Sequence, residues 1–471
     1  MVRKRAYVAC AIMGFEVSVS LMGFGGFVKR AVAQEKPSVV FEVATDMPVV
    51  EARRGQRVIV RALVRPDGRR VLTRSPLAVA IVLDKSGSMG ADGKIENAKL
   101  GALEAMNVLD RRDVVALIAY DDVARVLASP RSVGNGADDP ALARAIRRLS
   151  PGGSTALYDG LALGAEQLRT FVDEGYIPRI VLLSDGIANV GPSSTSELAA
   201  FGRRLAHREM TITTIGLGLD YNEDLMTAVA ASSGGNAYFA RHAGMLPEIF
   251  ARDMRDAVEV TARRVRITLR CPEGVRPVRV VGREGILRDN ALETTIDNLY
   301  GTGEKYALFE VELPERPAGT SFDAAELELE YTDASTGEVR KELSNVRVSS
   351  AEDRADVERS LNRDIVAQTA LAKNAEVREE AIRLADEGRA KEAAKLLEHR
   401  KGDLRLLAPS VGQAAPKLEA EAGLFEQLAQ SISAAGGMSS AERKQVMNDA
   451  YVQKNQQAPV TVSGDVSADH Q

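Results

Sequence analysis

Tryptophan is absent from the 471 residues, and aromatic residues make up only 4% of them. The hydrophobic cores must therefore be aliphatic, built from Val, Leu, Ile and Ala. Histidine is also scarce, and its four residues are scattered without a His-x-x-x-His pattern; they are His207, His242, His399 and His470. The two cysteines, Cys10 and Cys271, form no Cys-x-x-Cys pair. This combination argues against a zinc site.

A surplus of basic charge is lacking as well. The chain has 61 basic and 66 acidic residues, a net charge of -5. Nucleic-acid-binding proteins usually carry a basic surplus, so we expect no nucleic-acid partner. Gly216-Leu-Gly218 lacks the third glycine of a dinucleotide fingerprint, and we interpret it as a turn at the end of a strand. We also expect no small-molecule substrate.

The N-terminus has the pattern of a secretory signal peptide. A basic start, Met1 to Arg5, precedes an apolar stretch that ends near Val28, and Ala31-Val-Ala33 follows. We therefore predict that residues 1–33 are a signal peptide and that the protein is exported to the periplasm or the cell exterior. Glu16 interrupts the apolar stretch, which weakens the alternative of an uncleaved membrane anchor. Membrane association is expected only if this segment is retained.

Continuous apolar runs alternate with helical patterns in the middle of the chain. Leu77–Leu83, Val114–Ile118 and Ile180–Leu183 are apolar throughout, as in strands buried on both faces of a parallel sheet. Residues between them, such as Lys94–Asp110, repeat apolar side chains at three- and four-residue steps. The alternation predicts a doubly wound, mostly parallel α/β domain over residues 76–255.

Patterns of period two flank this domain on both sides. Val58, Val60, Ala62 and Val64 alternate with wetter positions, and so do Leu327, Leu329 and Tyr331 after the domain. We predict that residues 34–75 and 256–350 form one all-β, sandwich-like domain into which the α/β domain is inserted.

The remaining chain reads as helical from about residue 351 to 452. A break at Gly388 indicates a helix hairpin, which we interpret as an amphipathic pair packed on the sandwich. Residues 453–471 are polar and without period, and we predict a disordered tail.

Oxygen-bearing side chains follow the buried segments of the α/β domain. Asp84, Ser86 and Ser88 come directly after the first apolar strand, Thr155 stands in a glycine-rich turn, and Asp185 follows another apolar strand. Ligands of open α/β sheets bind beyond the carboxyl ends of the strands, so these side chains stand where a site is expected. A hard cation such as Mg²⁺ prefers oxygen ligands of this kind.

The pattern Asp-x-Ser-x-Ser, a distant Thr and a distant Asp-Gly resembles the metal-ion-dependent adhesion site of the von Willebrand factor A family. The resemblance covers residues 76–255, and all five positions match: Asp84, Ser86, Ser88, Thr155 and Asp185. It implies one bound Mg²⁺ or Mn²⁺, contacted by the hydroxyls, with the two carboxylates holding coordinated water. An Asp or Glu of a partner protein would complete the ligand shell. The domain order looks like that of secreted bacterial proteins of the family and is distantly similar to inter-alpha-trypsin inhibitor heavy chains.

The resemblance implies a metal-dependent binding module of the cell envelope rather than an enzyme. An alternative is a structural scaffold, or an accessory of a channel or transporter, in which the metal only braces the loops. Related channel regulators carry a metalloprotease region, but the chain has no His-Glu-x-x-His. Four residues beside the ligands are predicted to form the rim that contacts the partner: Lys85, Met89, Tyr158 and Asn189. Lys85 is expected either to attract an acidic partner by its charge or to be a solvated loop lysine.

Overall fold

The computed structural model describes residues 38–68, 75–133, 139–301 and 303–457. The predicted signal peptide and most of the predicted tail lie outside the described residues. The strands that precede the α/β domain are β1 (Val39–Thr45), β2 (Val49–Glu51) and β3 (Gln56–Pro66).

The α/β domain is built on a sheet with the spatial order β6-β5-β4-β7-β8-β9, in which only β6 runs antiparallel to its neighbour. These strands are β4 (Leu77–Asp84), β5 (Val114–Tyr120), β6 (Ala124–Ser132), β7 (Ile177–Ser184), β8 (Thr211–Leu217) and β9 (Ala237–Ala240). Every residue of β4, β5 and β7 is buried, because helices cover both faces of the sheet.

The covering helices divide between the two faces. They are α1 (Lys94–Val108), α2 (Pro140–Arg147), α3 (Leu157–Asp173), α4 (Thr195–Ala206), α5 (Glu223–Ser233) and α6 (Leu246–Val258). One core lies between the sheet and α1, α2 and α6, and the other lies between the sheet and α3, α4 and α5. This doubly wound arrangement confirms the predicted fold class.

Strands from both sides of the α/β domain share a second pair of sheets. The later strands are β10 (Val260–Arg270), β11 (Arg276–Val281), β12 (Ile286–Arg288), β13 (Ala291–Tyr300), β14 (Lys305–Leu313), β15 (Ser321–Asp333) and β16 (Val339–Ala351). One sheet has the order β1-β3-β14-β11, and the other has the order β12-β13-β10-β15-β16-β2. A common aliphatic core joins them, so the α/β domain is inserted into a β-sandwich.

The C-terminal region is more than a helix pair resting on the sandwich. Its helices are α7 (Arg354–Ser360), α8 (Arg363–Asp386), α9 (Ala390–Leu407), α10 (Ala415–Ala435) and α11 (Ser440–Asn455). Helices α8, α9 and α10 enclose a core of their own, while Ile365 of α8 packs on the sandwich. The prediction of one helix pair packed on the sandwich was therefore incomplete. The predicted tail also begins too early, because α11 continues to Asn455.

Helix α11 attaches the C-terminal region to the α/β domain. The buried Lys444 Nζ donates a hydrogen bond to the backbone oxygen of Tyr221 (2.8 Å) and forms an ion pair with Glu223. The Tyr451 hydroxyl donates to the backbone oxygen of Gly235 (2.8 Å).

Among the described residues, no helix combines the length and apolar character needed to cross a membrane.

A buried ion pair of the α/β domain also contacts the sandwich through a hydrogen bond. Arg179 of β7 is 1% exposed, and its Nη1 lies 2.7 Å from Oδ1 of Asp253 in α6, which is fully buried. Its Nη2 donates to the hydroxyl of Tyr300 in β13 (3.0 Å). Thr213 and Asn236 also donate to Asp253 Oδ1, each at 2.9 Å.

Candidate metal centre

The carboxyl edge of the sheet brings the predicted ligand loops together. Strand β4 pairs with β7, so Asp84 at the end of β4 stands beside Asp185, which follows β7. Ser86 and Ser88 lie in the short loop after β4, and Thr155 precedes α3. The apolar strands thus place residues from distant parts of the chain at one edge.

Hydroxyl and carboxylate oxygens converge between these loops. Ser88 Oγ donates a hydrogen bond to Asp185 Oδ1 (2.6 Å) and lies 3.1 Å from Ser86 Oγ. Gly186 lies beside the cluster, because a Cβ added there would lie 3.7 Å from both Ser88 Oγ and Thr155 Oγ1. The three hydroxyls and Asp185 therefore surround one small volume.

Asp84 is fully buried behind the hydroxyl groups. Its Oδ1 accepts a hydrogen bond from the Ser86 backbone N–H (2.8 Å), and its Oδ2 accepts one from Ser184 Oγ (2.9 Å). Burial raises the pKa of Asp84 to about 6, and the nearby charge of Asp185 acts in the same direction, while the hydrogen bonds oppose the rise. Hydrogen bonds, rather than a cationic side chain, are the main effects that offset the burial of its ionised form.

Backbone hydrogen bonds brace the first two loops against each other. Gly87 N–H donates to the Gly153 oxygen (3.0 Å), and Gly152 N–H donates to the Lys85 oxygen (2.8 Å). Gly153 has φ of +82°, and an added Cβ would lie 2.8 Å from Asp122 Oδ2. A side chain is therefore excluded at this turn, which holds Thr155 in place.

Asn189, predicted to contact the partner, also positions a ligand. Its Oδ1 accepts a hydrogen bond from the Thr155 backbone N–H (2.8 Å), and its side chain is otherwise exposed. Tyr158 is half-buried and packs on Phe201, with ring centroids 5.2 Å apart. Met89 is fully buried and cannot touch a partner, so its assignment to the rim is wrong. It faces the core because the loop after β4 forms one short 3-10 helix, Gly87–Gly90, which turns its side chain inward.

Lys85 is not the free positive charge that one of the two expectations required. Its ammonium forms an ion pair with Asp121, and little of its side chain is exposed. Burial acts to raise the pKa of Asp121, but the hydrogen bonds from Lys85 and the Val123 backbone, together with the charges of Lys85 and Arg125, lower that pKa overall. The charge of Lys85 is therefore compensated locally, and it is not a solvated lysine either.

Lys94 belongs to the centre, although its role was missed from the sequence. It is the first residue of α1, and its Nζ lies 2.8 Å from Asp185 Oδ2. A cation is unfavourable at a helix N-terminus, where the backbone already presents positive charge. That conflict was the available signal that Lys94 serves something other than the helix.

The donor set fits a hard divalent cation. Three hydroxyls and two carboxylates supply only oxygen atoms, which Mg²⁺ and Mn²⁺ prefer. In the part of the chain that the structure describes, no group of three or more His, Cys, Asp and Glu side chains gathers as a metal site. Three of the five predicted ligands are neutral hydroxyls, so a bound ion would keep much of its charge.

Comparison with known proteins identifies the α/β domain. Residues 79–187 match the model of the von Willebrand factor type A domain. The chain is 34% identical over 186 residues to the protein sll0103 of Synechocystis sp., covering 39% of this chain and 41% of that protein. It is 27% identical over 180 residues to human inter-alpha-trypsin inhibitor heavy chain H4, covering 36% and 19%. The chain therefore matches less than half the length of these curated relatives.

A solved structure extends the likeness of fold to the flanking domains. The von Willebrand factor type A protein from Catenulispora acidiphila superposes with a TM-score of 0.64 and 19% identity, over 88% of this chain and 96% of that one. At this identity the match establishes the fold alone. Together with the family match and the homology to the inhibitor heavy chains, it shows that the inserted α/β unit of this chain is a von Willebrand factor type A domain.

Proposed function

We propose that this protein is a metal-dependent binding module of the cell envelope. Mg²⁺ or Mn²⁺ would be held by the five residues of the centre, and it would bind an exposed Asp or Glu carboxylate of a partner protein. Domains of this family typically serve in adhesion and protein interaction. The observation that carries the proposal is the convergence of Ser88 Oγ, Ser86 Oγ and Asp185 Oδ1 beside Thr155 Oγ1.

Charge at the centre favours an anionic partner once the metal is bound. Asp84 and Asp185 bring two negative charges, and Lys94 compensates one of them. A divalent ion would therefore leave a net positive charge, which attracts a carboxylate. Without the ion the centre is acidic and repels the same group.

We propose no enzymatic role, no nucleic-acid partner and no small-molecule substrate. The basic, apolar N-terminal pattern supports export to the periplasm or cell exterior. In the alternative, the metal only braces the loops of a structural scaffold or of an accessory to a channel or transporter. The hydrogen bonds that already join the loops give this alternative its support.

Calorimetry and capture separate the two possibilities. We expect wild type to bind one Mg²⁺ and the Ser86→Ala/Asp185→Ala variant to bind none. Proteins captured from envelope extract in Mg²⁺ should be released by chelator and should not bind Thr155→Ala. Ser154→Ala is the matched control, because its hydroxyl stands next to Thr155 but outside the ligand set.

The outcomes differ for each hypothesis. Equal Mg²⁺ binding by the double variant would refute the site itself. If calorimetry shows that wild type binds Mg²⁺ but the captured partner stays bound in chelator, the bracing role is favoured.

A further inference from the structure

Aliphatic side chains stand exposed on the loops around the metal centre. Val123, Ile187 and Leu219 are 44%, 62% and 48% exposed, and we call them the apolar rim. Each follows a different strand of the α/β sheet, β5, β7 or β8, at the carboxyl edge. Exposed apolar groups gathered at one edge of a domain are typical of interaction surfaces.

Each member of the apolar rim is tied to a ligand loop. Ile187 is separated from Asp185 only by Gly186. Leu219 follows Gly218, and a Cβ added at Gly218 would lie 3.9 Å from Lys94 Nζ, the atom that pairs with Asp185.

Val123 stands on the other side of the centre. It follows Asp122, whose Oδ1 accepts the Ser154 backbone N–H (2.9 Å) next to Thr155. The order β5-β4-β7-β8 therefore places Val123 on one side of Asp84, and Ile187 and Leu219 on the other.

Acidic residues accompany the apolar rim. Asp122 precedes Val123 and Asp220 follows Leu219, and both are exposed. Their charges disfavour a partner segment that carries several carboxylates, since like charges repel. A segment with one carboxylate and uncharged neighbours avoids that repulsion.

We propose that the partner presents a single Asp or Glu flanked by bulky apolar residues. This inference rests on the proposed function: the carboxylate binds the metal, while the flanking side chains pack on Val123, Ile187 and Leu219. Burying apolar surface adds affinity that a lone carboxylate cannot provide, and the spacing of the loops around Asp84 selects for apolar groups on both sides of the acid.

An array of immobilised decapeptides tests the proposal with the full-length chain. The central triplets are Leu-Asp-Leu, Ser-Asp-Ser, Glu-Asp-Glu and Leu-Asn-Leu, in otherwise identical Gly-Ser contexts. In Mg²⁺ we expect Leu-Asp-Leu to bind at least about tenfold more strongly than the other three, because Ser-Asp-Ser and Glu-Asp-Glu lack the flanking apolar contacts and Leu-Asn-Leu lacks the carboxylate. Chelator should abolish the binding.

Variants of the apolar rim assign the preference to this surface. Ile187→Ser and Leu219→Ser should each weaken Leu-Asp-Leu binding about tenfold while leaving Mg²⁺ binding by calorimetry unchanged. Leu100→Ser is the matched control, because Leu100 is 53% exposed on α1 but lies outside the loops of the centre. It should bind like wild type.

Each contrary result has a distinct meaning. Equal binding of Ser-Asp-Ser and Leu-Asp-Leu in Mg²⁺, or unaltered binding by the rim variants, overturns this inference and leaves the proposed function standing. Equal binding of Leu-Asn-Leu shows a merely apolar contact and also overturns it. If no acidic peptide binds although Mg²⁺ does, the proposed function fails as well. The proposal is also refuted if wild type self-associates in chelator and the variants of the apolar rim do not. In that case a second copy of the chain, and not a partner, occupies the apolar rim.

Discussion

Lowering the pH should weaken metal binding through Asp84, well above the range where an ordinary aspartate titrates. Burial raises the pKa of this carboxyl from 3.8 to about 6 in the metal-free protein. A divalent cation requires the ionised form, whether it contacts the carboxylate directly or through water. Protons and metal therefore compete for the same group between pH 4 and 7.

The size of the effect follows from the pKa. With a pKa of about 6, proton competition should weaken the apparent Mg²⁺ affinity about tenfold at pH 5 relative to pH 7. A carboxyl with a pKa of 3.8 would change that affinity by less than about 10% over the same interval. The two cases are readily distinguished.

The same shift affects folding stability in the opposite direction. A carboxyl whose pKa is raised on folding stabilises the folded state while it is protonated, below about pH 4. That contribution, about 3 kcal/mol for a shift of about two units, is lost as the pH rises through about 6. The metal-free protein should therefore lose stability from this group between pH 4 and 6, and Mg²⁺ should restore it near neutrality.

Ser184→Ala shows whether Asp84 is the titrating group. Ser184 Oγ donates to Asp84 Oδ2 and thereby lowers its pKa. Loss of a hydrogen bond worth about 1 kcal/mol should move the midpoint of Mg²⁺ binding upward by about 0.7 pH unit. Calorimetric titrations from pH 4.5 to 7.5 measure the midpoint, with Ser154→Ala as the control. An Mg²⁺ affinity that stays within twofold between pH 5 and 7, or an unmoved midpoint in Ser184→Ala, would refute the reasoning.

Two further predictions concern stability and location. Arg179→Met should lower the free energy of unfolding by about 3–5 kcal/mol in urea denaturation, because it leaves the Asp253 carboxylate buried without its cation. Arg179→Met/Asp253→Leu should recover most of that loss, and a double variant as unstable as the single one would contradict this explanation. N-terminal sequencing of the native protein should find a mature start near Gln34, whereas a cytoplasmic chain that retains Met1 would exclude export.

The parts of the fold that could be predicted are those with strong local patterns. The apolar strands β4 and β7 are buried on both faces, and a parallel sheet necessarily gathers their carboxyl ends at one edge. That rule alone was enough to bring Asp84 and Asp185 together. Alternation on either side of the inserted domain predicted that the flanking strands share one sandwich, but it did not reveal which strands pair, such as β3 with β14.

Contacts between distant surfaces left no such pattern. Lys444 lies in α11 and pairs with Glu223 of α5, but in the sequence it is one more lysine in a polar helix. Met89 was misplaced because period and spacing do not reveal which way one turn of short helix points its side chains. Neither Lys85, in a loop, nor Lys94, at the start of a helix, showed its acidic partner in the sequence.

The metal centre contains several features that cost stability. Asp84 is ionisable yet fully buried, Lys94 places a cation at the start of a helix, and Gly153 holds a left-handed turn against Asp122. By contrast, α2 and α4 begin as local preference dictates, with Asp139 and Ser194 as their N-caps. Residues that lower stability are retained where function requires them. Binding of a divalent cation is such a function, since the cation would neutralise Asp84 and fix the segments that contain Lys94 and Gly153.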